Sequence, residues 1–293
     1  MNLFYRIGNT KLKKGIIMNN KIGFLRENFR LFHLIDKRNL EFNLHYHDFN
    51  KIIIFISGNV TYHIEGKSYI LKPWDILLIN KGDVHKPVID SSSTYERIIL
   101  WIDTNFIEKH IYDNCNLNTC FELSKEKKFS LVRLDENLKT NLISIISNLE
   151  KSTKDNSFGN TILSNSFFFQ LLVYINRIYI ENKYLTEENS CKYDSTIEKI
   201  INYINENLNR DLSIDTLSSK YFISKYYLMR KFKEDTKMTL HNYILQKRLL
   251  YARDLIQNGT PITKASIECG FNDYSSFLRA FKKHFKCSPK YFT

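Results

Sequence analysis

The sequence predicts an α+β chain of two domains. The N-terminal half reads as a β-barrel or jelly roll with packing helices, and the C-terminal part as an all-α domain of two helix-turn-helix units. Three observations predict this. Short β-branched and aromatic runs separated by turn residues fill residues 21–103. Two long apolar stripes at helical spacing follow them. The last hundred residues then carry one layout twice: a short helix, a tight connection, and a second helix with L-x-R-x-F or F-L-R-x-F and a basic tail.

Taken in order, residues 1–20 hold Arg6, Lys11, Lys13 and Lys14 and no apolar core for a signal peptide. They read as a disordered extension, with Met18 as an alternative start. Residues 21–182 read as the first domain. Its strands are IIIFISG (52–58), VTYHIEG (60–66), KSYILKP (67–73), WDILLIN (74–80) and ERIILWID (96–103). Turns are expected at Gly58-Asn59, Glu65-Gly66-Lys67 and Asn80-Lys81-Gly82-Asp83. Helices are expected from Leu134 to Lys151, with Leu138, Leu142, Ile145, Ile146 and Leu149 on one stripe, and from Asn160 to Asn182. The second stripe runs Ile162, Leu163, Phe167, Leu171, Leu172, Ile175, Ile178, Tyr179. Residues 183–195 are polar and read as a linker, and 196–293 as the second domain.

In that domain Ser213 can cap a helix anchored by Leu217, and Ser224 begins the next. Leu228 and Phe232 lie four apart on one face of it. Lys225, Tyr226, Met229, Arg230 and Lys233 are left for the other side. A connecting helix spans Thr239 to Gln257, with Tyr243, Ile244, Lys247, Leu250, Tyr251 and Leu255 at helical spacing. In the second unit Pro261 suits a first turn, Gly270 a sharp turn, and Asp273 a cap for Tyr274 to Lys286. Phe277, Phe281 and Phe285 are the expected core, leaving Tyr274, Ser275, Leu278, Arg279, Lys282 and Lys283 outward. A major groove admits one helix; Arg suits guanine and Lys suits phosphate. A helical bundle with solvated basic faces is the plainer alternative.

The repeated layout resembles the AraC/XylS family of transcription regulators. Leu217, Ser224, Leu228, Arg230, Phe232, Lys233, Tyr243, Arg248, Ala252, Ile262, Gly270, Phe271, Phe277, Arg279, Phe281, Lys282 and Pro289 carry the resemblance. It implies base contacts from Tyr226, Met229 and Arg230, and from Tyr274, Ser275, Leu278 and Arg279. The chain departs from the pattern at Ser218 and Ser266, where alanine is usual, and at Lys237 and Lys286, where glycine is usual. Phe222 stands at a turn position often held by glycine, and Thr293 replaces a terminal arginine. At Phe222 and Lys286 a side chain at positive φ is costly.

Upstream, His45-Tyr46-His47, Gly58, Gly66, Pro73, Asp75 and His85-x-Pro87 resemble the cupin-like sensing domain that precedes such DNA-binding domains. That resemblance implies an effector site, here assigned to His45, His47, Tyr62, Trp74, His85 and Trp101, with Phe42 also suited to stacking on a sugar. Aromatic and fatty acids stay open as effectors. H-x-H on one strand puts two imidazoles on one face, and His85 could complete a facial metal site. A metal cupin wants a carboxylate a few residues on, where this chain has Phe49, Asn50 and Lys51. We therefore expect no metal and no cofactor.

Formal net charge is +12, and residues 190–293 contribute 18 Lys or Arg against 10 Asp or Glu. The excess lies where nucleic-acid binding needs it. Five widely spaced cysteines without C-x-x-C favour reduced thiols, and no stretch approaches the roughly 18 apolar residues of a membrane span. The expectation is a cytoplasmic, homodimeric, effector-controlled regulator of promoter DNA. It is not an enzyme; the family resemblance implies an activator in contact with RNA polymerase. Alternatives are a cupin metalloenzyme with a helical appendage, and a regulator whose barrel is only a dimer scaffold.

Overall fold

The computed structural model describes residues 6–7, 10–11, 25, 27–36, 42, 45–90, 92–111, 115–134, 136–181, 191–192, 195–236 and 238–293. Apart from the hairpin of β1 (Arg6–Ile7) and β2 (Thr10–Lys11), the segment expected to be a disordered extension lies outside them. The barrel is two antiparallel sheets. One has the order β10-β7-β4-β9-β3, from β3 (Phe29–Asp36), β4 (Asn50–Ser57), β7 (Ile76–Ile79), β9 (Tyr95–Ile102) and β10 (Leu131–Val132). The other has the order β11-β6-β5-β8, from β5 (Val60–Ile64), β6 (Lys67–Ile70), β8 (His85–Ile89) and β11 (Cys191–Lys192). β11 falls within the segment read as a linker, most of which lies outside the described residues.

Pleat alternation divides the barrel's apolar residues between two cores. Ile53 and Phe55 on β4 join Tyr62, Ile64, Tyr69, Leu77, Ile79 and Tyr95 between the sheets. Ile52 and Ile54 face the opposite way with Ile98 and Leu100, under α3 (Glu136–Lys154) and α4 (Asn160–Ile180). Burial on both faces explains why β4 reads as an unbroken apolar run. Two short helices absent from the sequence reading, α1 (Thr104–Glu108) and α2 (Thr119–Glu126), close this side. Ile162 and Leu163, expected on the buried stripe of α4, are 72% and 49% exposed. The stripe turns inward only from Phe168 on. The strand expected to begin at Trp74 begins at Ile76 instead. Trp74 sits in a turn at φ 70, and the buried Asp75 carboxylate receives Arg133 Nε at 2.8 Å and Nη2 at 2.6 Å.

The C-terminal domain comprises α5 (Ser195–Glu206), α6 (Ile214–Lys220), α7 (Lys225–Thr236), α8 (Leu240–Gln257), α9 (Ile262–Glu268), α10 (Tyr274–Phe285) and a closing 3-10 turn at Pro289–Phe292. Two cores form around α8. Leu217, Leu228, Phe232, Tyr243 and Ile244 pack with α5 in one; Leu249, Ala252, Ile256, Phe277, Phe281 and Phe285 make the other. Tyr251, expected in the stripe of α8, is 42% exposed, while Leu249 and Ile256 are buried. Two separate packing partners, not one stripe, set the buried positions of this helix.

Candidate nucleic-acid interface and effector site

The helix-turn-helix units are held by local chemistry. The Ser213 hydroxyl accepts from Thr216 N at 3.2 Å, Ser224 Oγ from Tyr227 N at 3.1 Å, and Asp273 Oδ2 from Ser276 N at 2.6 Å. Each satisfies a helix-start N–H that has no partner within its helix. Pro261 lies one residue before α9, as its cap. Buried Ser218 and Ser266 satisfy their hydroxyls by donating to Asp215 O at 3.1 Å and Thr263 O at 2.7 Å. The hydroxyls therefore cost little where alanine is usual. Phe222 and Lys286 do adopt positive φ, 54° and 61°. Both turns keep their left-handed residue at the expense of strain. Gly270, at φ 82°, has a stricter reason to be glycine. A Cβ there would lie 2.3 Å from Leu208 O and 2.8 Å from Arg248 Nη2. Arg248 ties that same loop to α8 by donating to Leu208 O at 2.9 Å and Arg210 O at 2.8 Å.

With Leu228, Phe232, Phe277 and Phe281 fully buried, the opposite faces of α7 and α10 point to solvent. Tyr226 is 72% exposed, Met229 51% and Tyr274 41%. Lys225, Arg230, Lys233, Ser275, Arg279, Lys282 and Lys283 are exposed as well. Leu278 differs, being half-buried against the second core. Arg230 Nη1 donates to Glu234 Oε1 at 3.2 Å, Arg279 Nη2 to Ser276 Oγ at 3.0 Å, and Lys225 pairs with Asp215. Exposed pairs of this kind hold a side chain by about 1 kcal/mol or less, so a phosphate or base edge can displace them.

The barrel brings five of the six expected effector residues into one neighbourhood. An isolated bridge joins His45 to His85, with His45 N donating to His85 O at 3.1 Å and His85 N to His45 O at 2.9 Å. The three imidazole centroids lie 4.4–5.1 Å apart. Tyr62 stands 6.4 Å from His85, and Trp101 5.9 Å from His47. Trp74 is not among them. It packs on the helix-covered face and donates its backbone N–H to Phe55 O at 2.6 Å, at the other end of β4. Phe42 is half-buried.

One residue that the sequence reading passed over fills the centre. Lys51 points its ammonium at His47 Nε2, 3.5 Å away, and at His85 Nε2, 3.4 Å away. His85 Nδ1 donates to Asp83 O at 2.9 Å, which fixes the tautomer and leaves Nε2 as acceptor. Burial lowers the Lys51 amine to about 7, with Arg97 adding repulsion. Burial, then His45, Lys51 and His47, push His85 well below its ordinary value. By spacing alone the three imidazoles could hold a metal ion, their nitrogens lying within 4.8 Å of one another. Their fit to one is poor: a cation would meet the Lys51 nitrogen where a metal cupin supplies a carboxylate.

This end of the barrel docks on the C-terminal domain. His45 and His47 turn inward, so Tyr46 between them turns outward, 0% exposed, into the core around α10. Its hydroxyl lies 2.5 Å from His284 Nε2. The β5–β6 hairpin makes the second contact. Glu65 receives Val84 N at 2.6 Å, Tyr243 Oη at 2.6 Å, Lys247 Nζ at 2.7 Å and Asn205 Nδ2 at 3.2 Å. Burial pushes this carboxyl up, but the Lys247 charge and these bonds outweigh it and hold it below the usual value. Asp83 is pushed to about 6 by burial and by Glu65, with Lys247 opposing. A cleft of about 710 Å³ lies beside the contact, lined by Lys67, Lys81, Asp83, Lys128, Glu206 and Asp254 among others. In the sequence Tyr46, Glu65 and Lys247 belong only to the H-x-H segment, a turn and a helix stripe; their partners across the interface make them notable.

Comparison with known proteins agrees with both halves. A family model described as an AraC-like ligand binding domain matches residues 32–172, and one described as a helix-turn-helix domain matches residues 217–293. The HTH-type transcriptional activator RhaR of Mannheimia succiniciproducens is 26% identical over 250 residues, covering 85% of this chain and 86% of that protein. The HTH-type transcriptional activator RhaS of Escherichia coli is 21% identical over 255 residues, covering 85% and 87%. Among solved structures, unsaturated fatty acid bound ToxT of Vibrio cholerae aligns over 92% of this chain and 97% of its own, with TM-score 0.39 and 18% identity.

Proposed function

The chain belongs to the AraC/XylS family of transcription regulators, and we propose that it reads promoter DNA through α7 and α10 while a small molecule in the barrel controls their presentation. The observation that carries this reading is the pairing of two capped helices, each with a buried apolar stripe and an outward arginine. Arg230 and Arg279 are the base readers, with Tyr226, Met229, Tyr274 and Ser275 beside them. Lys225, Lys233, Lys282 and Lys283 take phosphates, which position a protein without reading sequence. Leu278, half-buried, offers only its tip, suited to a thymine methyl.

Control runs through the docked end of the barrel, where Tyr46 and Glu65 join the imidazole site to α8 and α10. The relatives named as activators favour activation here, with RNA polymerase as the further contact. Exposed Ile162 and Leu163 on α4 are the apolar surface for a homodimer. No helix among the described residues is long and apolar enough to cross a membrane.

The test is selection of duplexes from a random pool by the full chain, followed by titration of the winner at several salt concentrations. A recovered consensus with affinity falling as salt rises is expected. Binding without any recovered consensus would refute sequence reading by these helices.

A further inference from the structure

Inside the barrel two hydrogen-bond donors come from facing positions of neighbouring strands, and neither is bonded to a carboxylate among the described residues. In the register of β4 and β9, Lys51 lies directly opposite Trp101. Alternation places Lys51 on the interior face with Ile53 and Phe55, and Trp101 with Ile99 and Tyr95. Residues so paired have Cβ atoms about 4.5–5.5 Å apart. Lys51 is 5% exposed, and its acceptors are the two imidazole nitrogens at 3.5 and 3.4 Å. The Trp101 Nε1–H is buried and meets no acceptor among the described residues. The neighbouring interior cation is treated differently: Arg97 is paired with the Asp36 carboxylate and also donates to Tyr95 O at 3.3 Å.

An ammonium and an indole N–H are donors only. Enclosing such groups without an acceptor, and a charge without its opposite, is unfavourable. The complementary group has acceptors and no donors, and carries negative charge. A sugar hydroxyl brings a donor with every acceptor and fits less well. Phe32 and Phe49, with ring centroids 4.7 and 4.8 Å from Trp101, supply apolar walls. We propose that the effector is a carboxylate, its oxygens taken by Lys51 Nζ and Trp101 Nε1 beside His47 and His85. This rests on the barrel being the effector domain.

The chain has two tryptophans. A Trp74→Phe background, altered at the far end of β4, leaves Trp101 as the reporter. Formate is titrated at constant ionic strength against chloride, with inorganic phosphate as a second arm. We expect a saturable change in Trp101 emission at millimolar formate and none with chloride. Lys51→Met, checked for folding by circular dichroism, should weaken the response at least tenfold. On the unaltered chain, the Trp101 indole N–H resonance should move downfield with the same midpoint. A response that follows ionic strength alone, an equal or stronger response to phosphate, or a folded Lys51→Met chain titrating like its parent overturns the proposal. DNA binding is measured on the same samples. Its loss would count against the regulator reading alone, and a missing formate response against the carboxylate site alone.

Discussion

Replacing Glu65 by Ala tests whether the barrel and the DNA-binding domain are one energetic unit. Glu65 and Lys247 are 20% and 13% exposed at the side chain, so their contact at 2.7 Å is a largely buried ion pair. Removing one partner of such a pair costs about 3–5 kcal/mol, because the other charge stays buried. Two fallbacks reduce that. Lys247 Nζ keeps Gly82 O at 3.3 Å, and Tyr243 Oη keeps Asn205 Oδ1 at 3.3 Å. The low end, about 3 kcal/mol, is therefore expected, which is roughly a hundredfold in the equilibrium at about 1.4 kcal/mol per tenfold. The assay is a denaturant-unfolding cycle on the full chain with Glu65→Ala, Lys247→Met and the double variant. Lys247→Met should recover part of the Glu65→Ala loss, giving a coupling energy of about 2–3 kcal/mol. Additive losses, or a Glu65→Ala cost below about 1 kcal/mol as for an exposed pair, would refute the reasoning.

Three further outcomes are expected. Arg230→Ala or Arg279→Ala should cost about 1–3 kcal/mol on the cognate duplex and relax one base position, whereas Lys233→Ala or Lys283→Ala should weaken all duplexes alike and flatten the salt slope by about one unit. Equal losses on cognate and scrambled duplexes for the arginine variants would make them phosphate clamps. Asp83, held near 6, gains protons on folding, so its ionised form opposes the fold as pH rises from about 4 through 6. Asp83→Asn should thus stabilise by about 1–3 kcal/mol at pH 7, with the gain gone near pH 4 in urea melts; a pH-independent gain would contradict this. Glu65, held low, acts with the opposite sign: its contribution is present above the ordinary carboxylate range and lost as pH falls through its lowered value. Replacing both His45 and His47 by Ala should abolish the effector's thermal shift while the full chain still binds DNA, and a normal shift would remove the imidazoles from the site.

The C-terminal domain was legible because its signals are local. Caps at Ser213 and Asp273, the turn at Gly270 and the Phe277–Phe281 stripe all lie within a few residues of what they act on. Five of the barrel's strands were legible for the same reason, whereas β3, β8, β10 and β11 were not singled out. Its site was only half legible. The histidines announce themselves by spacing, but Trp74 was grouped with them by residue type, and the fold puts it at the other end of β4. Lys51 was noticed only as a missing carboxylate. Its meaning depends on the β4–β9 register, which places Trp101 opposite it, and register is set by partners distant in sequence. Glu65 read as a turn residue, and the turn is real, with φ 48° at Glu65 and 82° at Gly66. That the hairpin tip enters the second domain, where a Cβ on Gly66 would stand 2.2 Å from Ile201 Cδ1, is a property of docking, which no local pattern encodes.

The His45-Tyr46-His47 segment explains how an event in the barrel can reach α10. Extended backbone sends alternate side chains to opposite sides, so two imidazoles enter the site and the tyrosine between them enters the other domain. A displacement of His45 or His47 toward a bound anion cannot leave Tyr46 in place, because one short backbone segment carries all three. Tyr46 has no slack: it is fully buried and bonded to His284, on the last turn of α10. The effector can shift the docked state only by the difference in its affinity for the two arrangements, and a swing from 1:99 to 99:1 needs about 5.5 kcal/mol. The Glu65–Lys247 and Tyr46–His284 contacts hold the docked arrangement, and their loss is what that difference in affinity must offset. Burial disfavours the charged form of Lys51 and a bound anion would favour it, so the switch is expected to fail with Lys51→Met even where DNA binding survives.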